Sequence, residues 1–202
     1  VVLRTDTIFR PEVIAIGSST GGPQALFRVI KDMGADLHQP IVITQHMPPA
    51  FTAILADHIS RQCGVECHEA KEGDVLIPGH YYVAPGDYHM LIQPKGAGAT
   101  VHLVQDPPEN FCRPAVDPML RSLVPIYGRK LLVVILTGMG QDGMRGSQVV
   151  VQGGGAVVAQ DEKTSVVWGM PGAVATAGLC SAVLPLTEIG AYVRRTAMGR
   201  SA

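Results

Sequence analysis

The chain has 202 residues, 47% of them hydrophobic and 16% charged, with 16 Lys and Arg against 17 Asp and Glu for a formal net charge of −1. One domain of this length can bury a full core, and the apolar share is too high for a disordered chain. The near-neutral balance, with no basic run interleaved with aromatics, excludes a broadly basic nucleic-acid binder.

Residues 1–11 are polar, lack periodicity and end in Pro11, so they read as the end of a linker, with residues 12–202 as the folded unit. The start has no basic stretch ahead of an apolar core, and no secretory signal is expected. A β-branched run at 13–16 reads as a buried strand, followed by a Gly/Ser/Thr cluster. Leu26, Val29, Ile30 and Met33 repeat at helical spacing over 23–33, with Pro23 suited to the first turn. Residues 41–44 form a second buried strand and 49–63 a second helix, with Phe51, Ile54, Leu55 and Ile59 on one face.

From 65 to 104 the apolar runs shorten between Pro-Gly and Gly turns. Residues 75–77, 81–83, 90–92 and 101–104 are expected as small antiparallel strands and hairpins. A helix over 114–126, a strong strand at 131–136, a helix over 142–151 and a strand at 156–159 follow. A helix, a strand at 182–184 and a last helix from about Thr187 complete the chain. The uncharged stretch 164–187 has the length of a membrane span. Its Pro171, Pro185, Gly169, Gly172 and Gly178 favour a buried helix, a turn and a strand instead. The alternation implies an α/β fold, a mostly parallel doubly wound (Rossmann-like) sheet with an antiparallel hairpin insertion at one edge.

Cys63, Cys67, Cys112 and Cys180 contain no Cys-x-x-Cys pair and do not make a disulfide framework, so reduced thiols in a cytoplasmic setting are expected. Cys63, Cys67 and His68 have metal-ligand chemistry, but no second pair closes a tetrahedral site. No metal and no cofactor is expected.

Ligands of open parallel sheets bind beyond the carboxyl ends of the strands. The first strand is followed by Gly17-Ser18-Ser19-Thr20-Gly21-Gly22, the second by Gln45-His46-Met47-Pro48-Pro49, and the strand at 131–136 by Thr137-Gly138-Met139-Gly140-Gln141-Asp142-Gly143. A serine, a histidine and an aspartate thus share one sheet edge, the inventory of a Ser-His-Asp hydrolase. Gly17-x-Ser19-x-Gly21 also spells a nucleophile elbow at a strand-to-helix turn. Singly, each has a plainer explanation: a serine capping the next helix, a hydrogen-bonded loop histidine, an acid in a first helical turn. The order Ser, His, Asp differs from that of α/β-hydrolases.

These three blocks, with Tyr82-Val83-Ala84-Pro85-Gly86-Asp87, Arg113-Pro114-Ala115-Val116-Asp117 and Gly169-Met170-Pro171-Gly172, resemble the signature segments of the CheB family, chemotaxis receptor methylesterases and glutamine deamidases. The resemblance covers about 13 to 185. It implies Ser19 as nucleophile, His46 as base and Asp142 as orienting acid. It also implies that Thr20 and Met139 lie beside the reacting carbonyl, with the Met139 N–H as oxyanion donor. The implied substrates are glutamyl methyl esters and glutamines on cytoplasmic helices of methyl-accepting chemotaxis receptors. The implied enzyme is a cytoplasmic monomer that neither binds nucleic acid nor inserts in membrane. Family members also carry an N-terminal receiver domain, which this chain lacks, so 12–202 corresponds to the catalytic part. Two other readings exist. Gly138-x-Gly140-x-x-Gly143 with Asp161 spells a dinucleotide fingerprint, but it comes late in the chain and leaves Ser19 and His46 idle. An inert receptor-binding module leaves the whole triad unexplained.

Overall fold

A computed structural model of the chain describes residues 1–5 and 10–199. Residues 6–9, within the stretch read as linker, and 200–202 lie outside the described residues. Nine strands and six α-helices are described: β1 (Val13–Ser18), α1 (Gly22–Met33), β2 (Ile41–Gln45), α2 (Phe51–Cys63), β3 (Glu66–Glu69), β4 (His80–Val83), β5 (His89–Lys95), β6 (Gly98–Val104), α3 (Val116–Tyr127), β7 (Leu131–Ile135), α4 (Met144–Gln152), β8 (Ala156–Gln160), α5 (Met170–Thr176), β9 (Ala182–Leu184) and α6 (Leu186–Ala197). Seven strands form one parallel sheet in the order β3-β4-β2-β1-β7-β8-β9, and β5 and β6 pair separately as an antiparallel hairpin.

Successive side chains of a strand point to opposite faces, and a strand covered on both faces reads as a continuous apolar run. β1 and β7 are buried along their whole length. Ile14 and Ile16 enter the core beneath α1, α2 and α6. Val13 and Ala15 enter the opposite core with α3, α4, α5 and the β5–β6 hairpin. Each fully buried Ile or Val contributes about 1.5–3 kcal/mol relative to exposure.

Three local readings differ from the fold. Residues 81–83 are not part of a hairpin: β4 lies parallel to β2 and β3 inside the main sheet. Residues 75–77 form no strand and contribute one bridge, Val75 to Thr100. β3 has no apolar run to announce it, because only Cys67 of its four residues is buried at this charged sheet edge. The 164–187 stretch resolves into a loop, α5, β9 and the start of α6. Among the described residues no helix is long and apolar enough to cross a membrane.

From β1 the chain passes to β2, then to the edge strand β3 and back to β4 between them, before β7 is placed on the other side of β1. The β1–β7 seam is therefore the point where the strand order reverses, where a ligand crevice opens at the carboxyl ends. Register levels those ends: Gly17 lies opposite both Thr44 of β2 and Ile135 of β7.

Candidate active site

Ser19 is the first residue past β1. Its N–H donates to the Thr137 carbonyl (3.0 Å) and its own carbonyl accepts from Gln45 Nε2 (2.8 Å). The same Gln45 amide accepts a hydrogen bond from the Ser18 hydroxyl (2.5 Å). The neighbouring serines thus have different lives. Ser18 is fully buried and committed to Gln45, whereas Ser19 is half-buried and its hydroxyl makes no hydrogen bond among the described residues. Neither serine caps α1. The cap position is Gly21, at φ 81°, without a side-chain bond to the helix. That left-handed conformation lets the chain turn sharply into the helix.

The loop after β7 lies against this elbow. A Cβ on Gly138 would sit 2.9 Å from both the nitrogen and the Cβ of Ser19, so only glycine permits the approach. The Thr137 hydroxyl donates to the Thr20 carbonyl (2.9 Å), tying the two loops together. The N–H groups of Thr20 and Met139 have no hydrogen-bond partner among the described residues. Met139 is exposed, as are Phe51 at the start of α2 and Val166.

His46 follows β2 and is held by its N–H on the Ser18 carbonyl (3.1 Å). Its Nε2 meets Asp142 Oδ2 at 2.6 Å, and its Nδ1 lies 3.4 Å from Cys112 Sγ. Burial pushes the ring's pKa down, but the bonds to Asp142 and Cys112 outweigh it, and the result is a rise from 6.5 to about 9. A proton is therefore held between ring and carboxylate at neutral pH.

Asp142 is 1% exposed and receives four donors. Oδ2 takes His46 and the Val116 N–H (2.7 Å); Oδ1 takes the Asp117 N–H (3.1 Å) and Asn110 Nδ2 (2.9 Å). Every oxygen of this buried carboxylate is thus taken up by donors. Asp142 is not in the first turn of the helix that follows it. α4 starts two residues later, and Asp142 instead satisfies the open N-terminus of α3.

The structure thus joins His46 and Asp142 directly, and the His46 N–H on the Ser18 carbonyl ties their loop to the residue that precedes the unbonded Ser19. Thr20 and Met139 lie on the two loops that meet at Ser19. Sequence reasoning missed Gln45, Asn110 and Cys112. Gln45 had a signal, since it precedes His46 and lies opposite Ser18 in register; Asn110 and Cys112 had none. Arg113 is pinned by Asp87 (2.6 Å) and the carbonyls of Gln105 and Asp106. Asp161, the acid of the dinucleotide spelling, accepts from the N–H and hydroxyl of Thr164 (3.0 and 2.6 Å) and so holds its own turn. No cluster of metal-ligating side chains is found among the described residues. A cavity of about 450 Å³, lined by Asn110, Phe111, Gly140, Gln141, Gly169 and Ala173, opens on one side of the 109–113 segment. A smaller cleft of about 300 Å³, lined by His46, Met47, Pro48, Cys112, Arg113 and Pro114, opens on the other.

A model of the CheB methylesterase family matches residues 14–193. The chain is 64% identical over 194 residues to a protein-glutamate methylesterase/protein-glutamine glutaminase of group 2 operon from Rhodospirillum centenum, covering 96% of this chain and 49% of that protein. It is 61% identical over 189 residues to the protein-glutamate methylesterase/protein-glutamine glutaminase of Azospirillum brasilense, covering 93% of this chain and 48% of that one. The chain therefore spans about half the length of the curated relatives it matches. The crystal structure of the Thermotoga maritima CheB methylesterase catalytic domain superposes with a TM-score of 0.89 at 39% identity, covering 92% of this chain and 98% of that one. A site at the strand reversal of this sheet, in a chain matched over nearly its whole length, places it in the CheB methylesterase family.

Proposed function

We propose that this chain hydrolyses glutamyl methyl esters, and deamidates glutamines, on the cytoplasmic helices of methyl-accepting chemotaxis receptors. The observation that carries the reading is the 2.6 Å His46–Asp142 pair beside an unbonded serine hydroxyl at the strand reversal. The names of the relatives supply the reaction class and the substrate residue.

In the proposed reaction, Ser19 Oγ attacks the γ-carbonyl carbon of the ester. Its proton passes to His46 Nδ1, the ring nitrogen opposite Asp142, which exchanges its long contact with Cys112 Sγ (3.4 Å) for the serine in this step. The carbonyl oxygen becomes an oxyanion, for which the N–H groups of Thr20 and Met139 are the available donors. Collapse breaks the bond to methoxide, which takes the proton from His46 and leaves as methanol. Water, deprotonated by the same ring, then hydrolyses the acyl-serine and leaves glutamate. With a glutamine the leaving group is ammonia. Asp142 keeps the ring oriented and balances the imidazolium.

Phe51, Met139 and Val166, exposed apolar side chains on segments that follow strands of the main sheet, suit contact with a polypeptide surface better than with a free amino acid. The half-length match supports a further segment in the native protein, which on the family resemblance is a receiver domain. Methanol release from methylated receptor membranes tests the activity, and labelling by a fluorophosphonate tests the nucleophile. Release that persists in Ser19→Ala would sink the assignment.

A further inference from the structure

The segment Glu109–Cys112 is a tight turn closed at both ends, by the Glu109 N–H on the Cys112 carbonyl (3.0 Å) and the reverse bond (2.9 Å). Both central residues are left-handed, Asn110 at φ 52° and Phe111 at φ 64°. Asparagine suits such a mirror-image turn, whereas a bulky aromatic rarely adopts it. The side chain of Phe111 earns nothing back by packing, since it is fully exposed. A bidentate pair between Arg121 and Glu109 (2.8 and 2.6 Å) ties the turn to α3. The surroundings thus impose a conformation that the turn's own residues do not favour, which points to a function at the turn.

What the conformation achieves is the placement of Asn110. Its Nδ2 donates one hydrogen to Asp117 Oδ2 (2.9 Å) and the other to Asp142 Oδ1 (2.9 Å). Two carboxylates share this space, and each already takes two backbone N–H groups. Asn110 is the side-chain donor common to both. We propose that Asn110 is a positioning residue that sets the geometry of the His46–Asp142 pair and screens its buried charge, acting through Asp142 without touching the reacting atoms. The argument is one of donor supply. Without the bridging amide, two buried carboxylates lose the donor they share. More unshielded negative charge then faces the imidazole.

The groups that face this pair are Asp117 and Arg121 from α3, Glu109 and Cys112 from the turn, and His46 itself. The test compares Asn110→Gly, which keeps the left-handed backbone available, with the wild type. The titration of His46 is followed by NMR on the folded proteins without substrate, and kcat and KM are measured on a small activated ester. For Asn110→Gly the His46 titration is expected to move to higher pH, and kcat to fall on the order of 10- to 100-fold with KM little changed. Asn110→Asp, which adds a third carboxylate, is expected to move the titration further in the same direction. Phe111→Gly relaxes the same turn but keeps the amide, and should leave the His46 titration where it is. A His46 titration that Asn110→Gly and Asn110→Asp leave unmoved overturns the proposal, whatever happens to melting temperature. The inference rests on the hydrolase reading only for its turnover arm. A wild-type protein that hydrolyses no ester overturns that reading, whereas the titration alone decides the role of Asn110.

Discussion

Asp117 and Asp142 cap each other's helices. Asp142, which leads into α4, accepts the N–H groups of Val116 and Asp117 at the start of α3; Asp117, in the first turn of α3, accepts those of Gly143 (3.0 Å) and Gly146 (2.7 Å) at the start of α4. Two positive helix ends therefore converge on one buried pair of acids. Burial pushes the Asp117 carboxyl above the usual range, and the Asp142 charge adds to this against the bonds from Gly146, Asn110 and Gly143. The exchange gives the proposed catalytic acid a rigid seat on two elements rather than a place on a flexible glycine loop.

Asp142→Asn tests that seat and the chemistry together. An amide offers one acceptor oxygen to four donors, so the variant is expected to lose on the order of 1 kcal/mol or more of stability. Turnover is expected to fall by about 10²–10⁴, as when a triad aspartate becomes asparagine. Thermal melts and methanol release on the same preparation separate the two effects. Normal turnover in a protein that merely melts early would leave Asp142 a structural residue.

The two adjacent serines should part company. Ser19→Ala is expected to abolish fluorophosphonate labelling and leave the melting point nearly unchanged, because the Ser19 hydroxyl holds nothing. Ser18→Ala leaves the buried Gln45 oxygen without its donor and should cost about 1–3 kcal/mol. It should still label. Equal loss of labelling in two folded variants would contradict the assignment.

The proposed base must be neutral to take a proton, and His46 titrates at about 9. The kcat/KM for a small ester is therefore expected to climb as pH rises from 6.5 towards 9. The folded pKa is raised above the unfolded one, so the ring's contribution to stability is full below about 6.5 and fades as pH rises through about 9. Cys112→Ala removes one of the two bonds that hold the proton on the ring. Its rate profile should shift to lower pH, and a profile identical to wild type would show that the thiol has no part in the titration.

Arg113 lines the smaller cleft beside His46 but is not a free cation. Its guanidinium instead ties Asp87 to the Gln105 and Asp106 carbonyls, with 23% of the side chain exposed. Arg113→Glu is expected to lower hydrolysis of methylated receptor and of a small ester in parallel, together with the melting point. A selective loss on the receptor would restore a docking role.

The sequence makes β1, β2 and β7 plain because each is a buried β-branched run ending in a Gly, His-Pro or Thr-Gly loop. That is enough to place Ser19, His46 and Asp142 on one edge. β3 stays hidden because an edge strand of Glu, Cys, His and Glu carries no apolar run. β4 looks like a hairpin strand because its parallel partner, β2, lies far back in the chain, and local pattern carries no such information. The same blindness assigns Asp142 to the helix it precedes instead of to α3. Asn110 escapes for a related reason: its place depends on how a turn folds back over two helix ends, and no periodicity encodes that.

The β1–β7 seam divides the site by ancestry within the chain. The proposed nucleophile and base are both in place by residue 46, on one half-sheet, while the proposed acid and its other three donors, from Asn110, Val116 and Asp117, arrive after residue 109, on or over the other. Under the proposed mechanism, turnover would be a read-out of long-range assembly. A chain nicked at the exposed Gly96 turn between β5 and β6 would carry two inert pieces, and recovered turnover would count the molecules in which the halves had zipped back together.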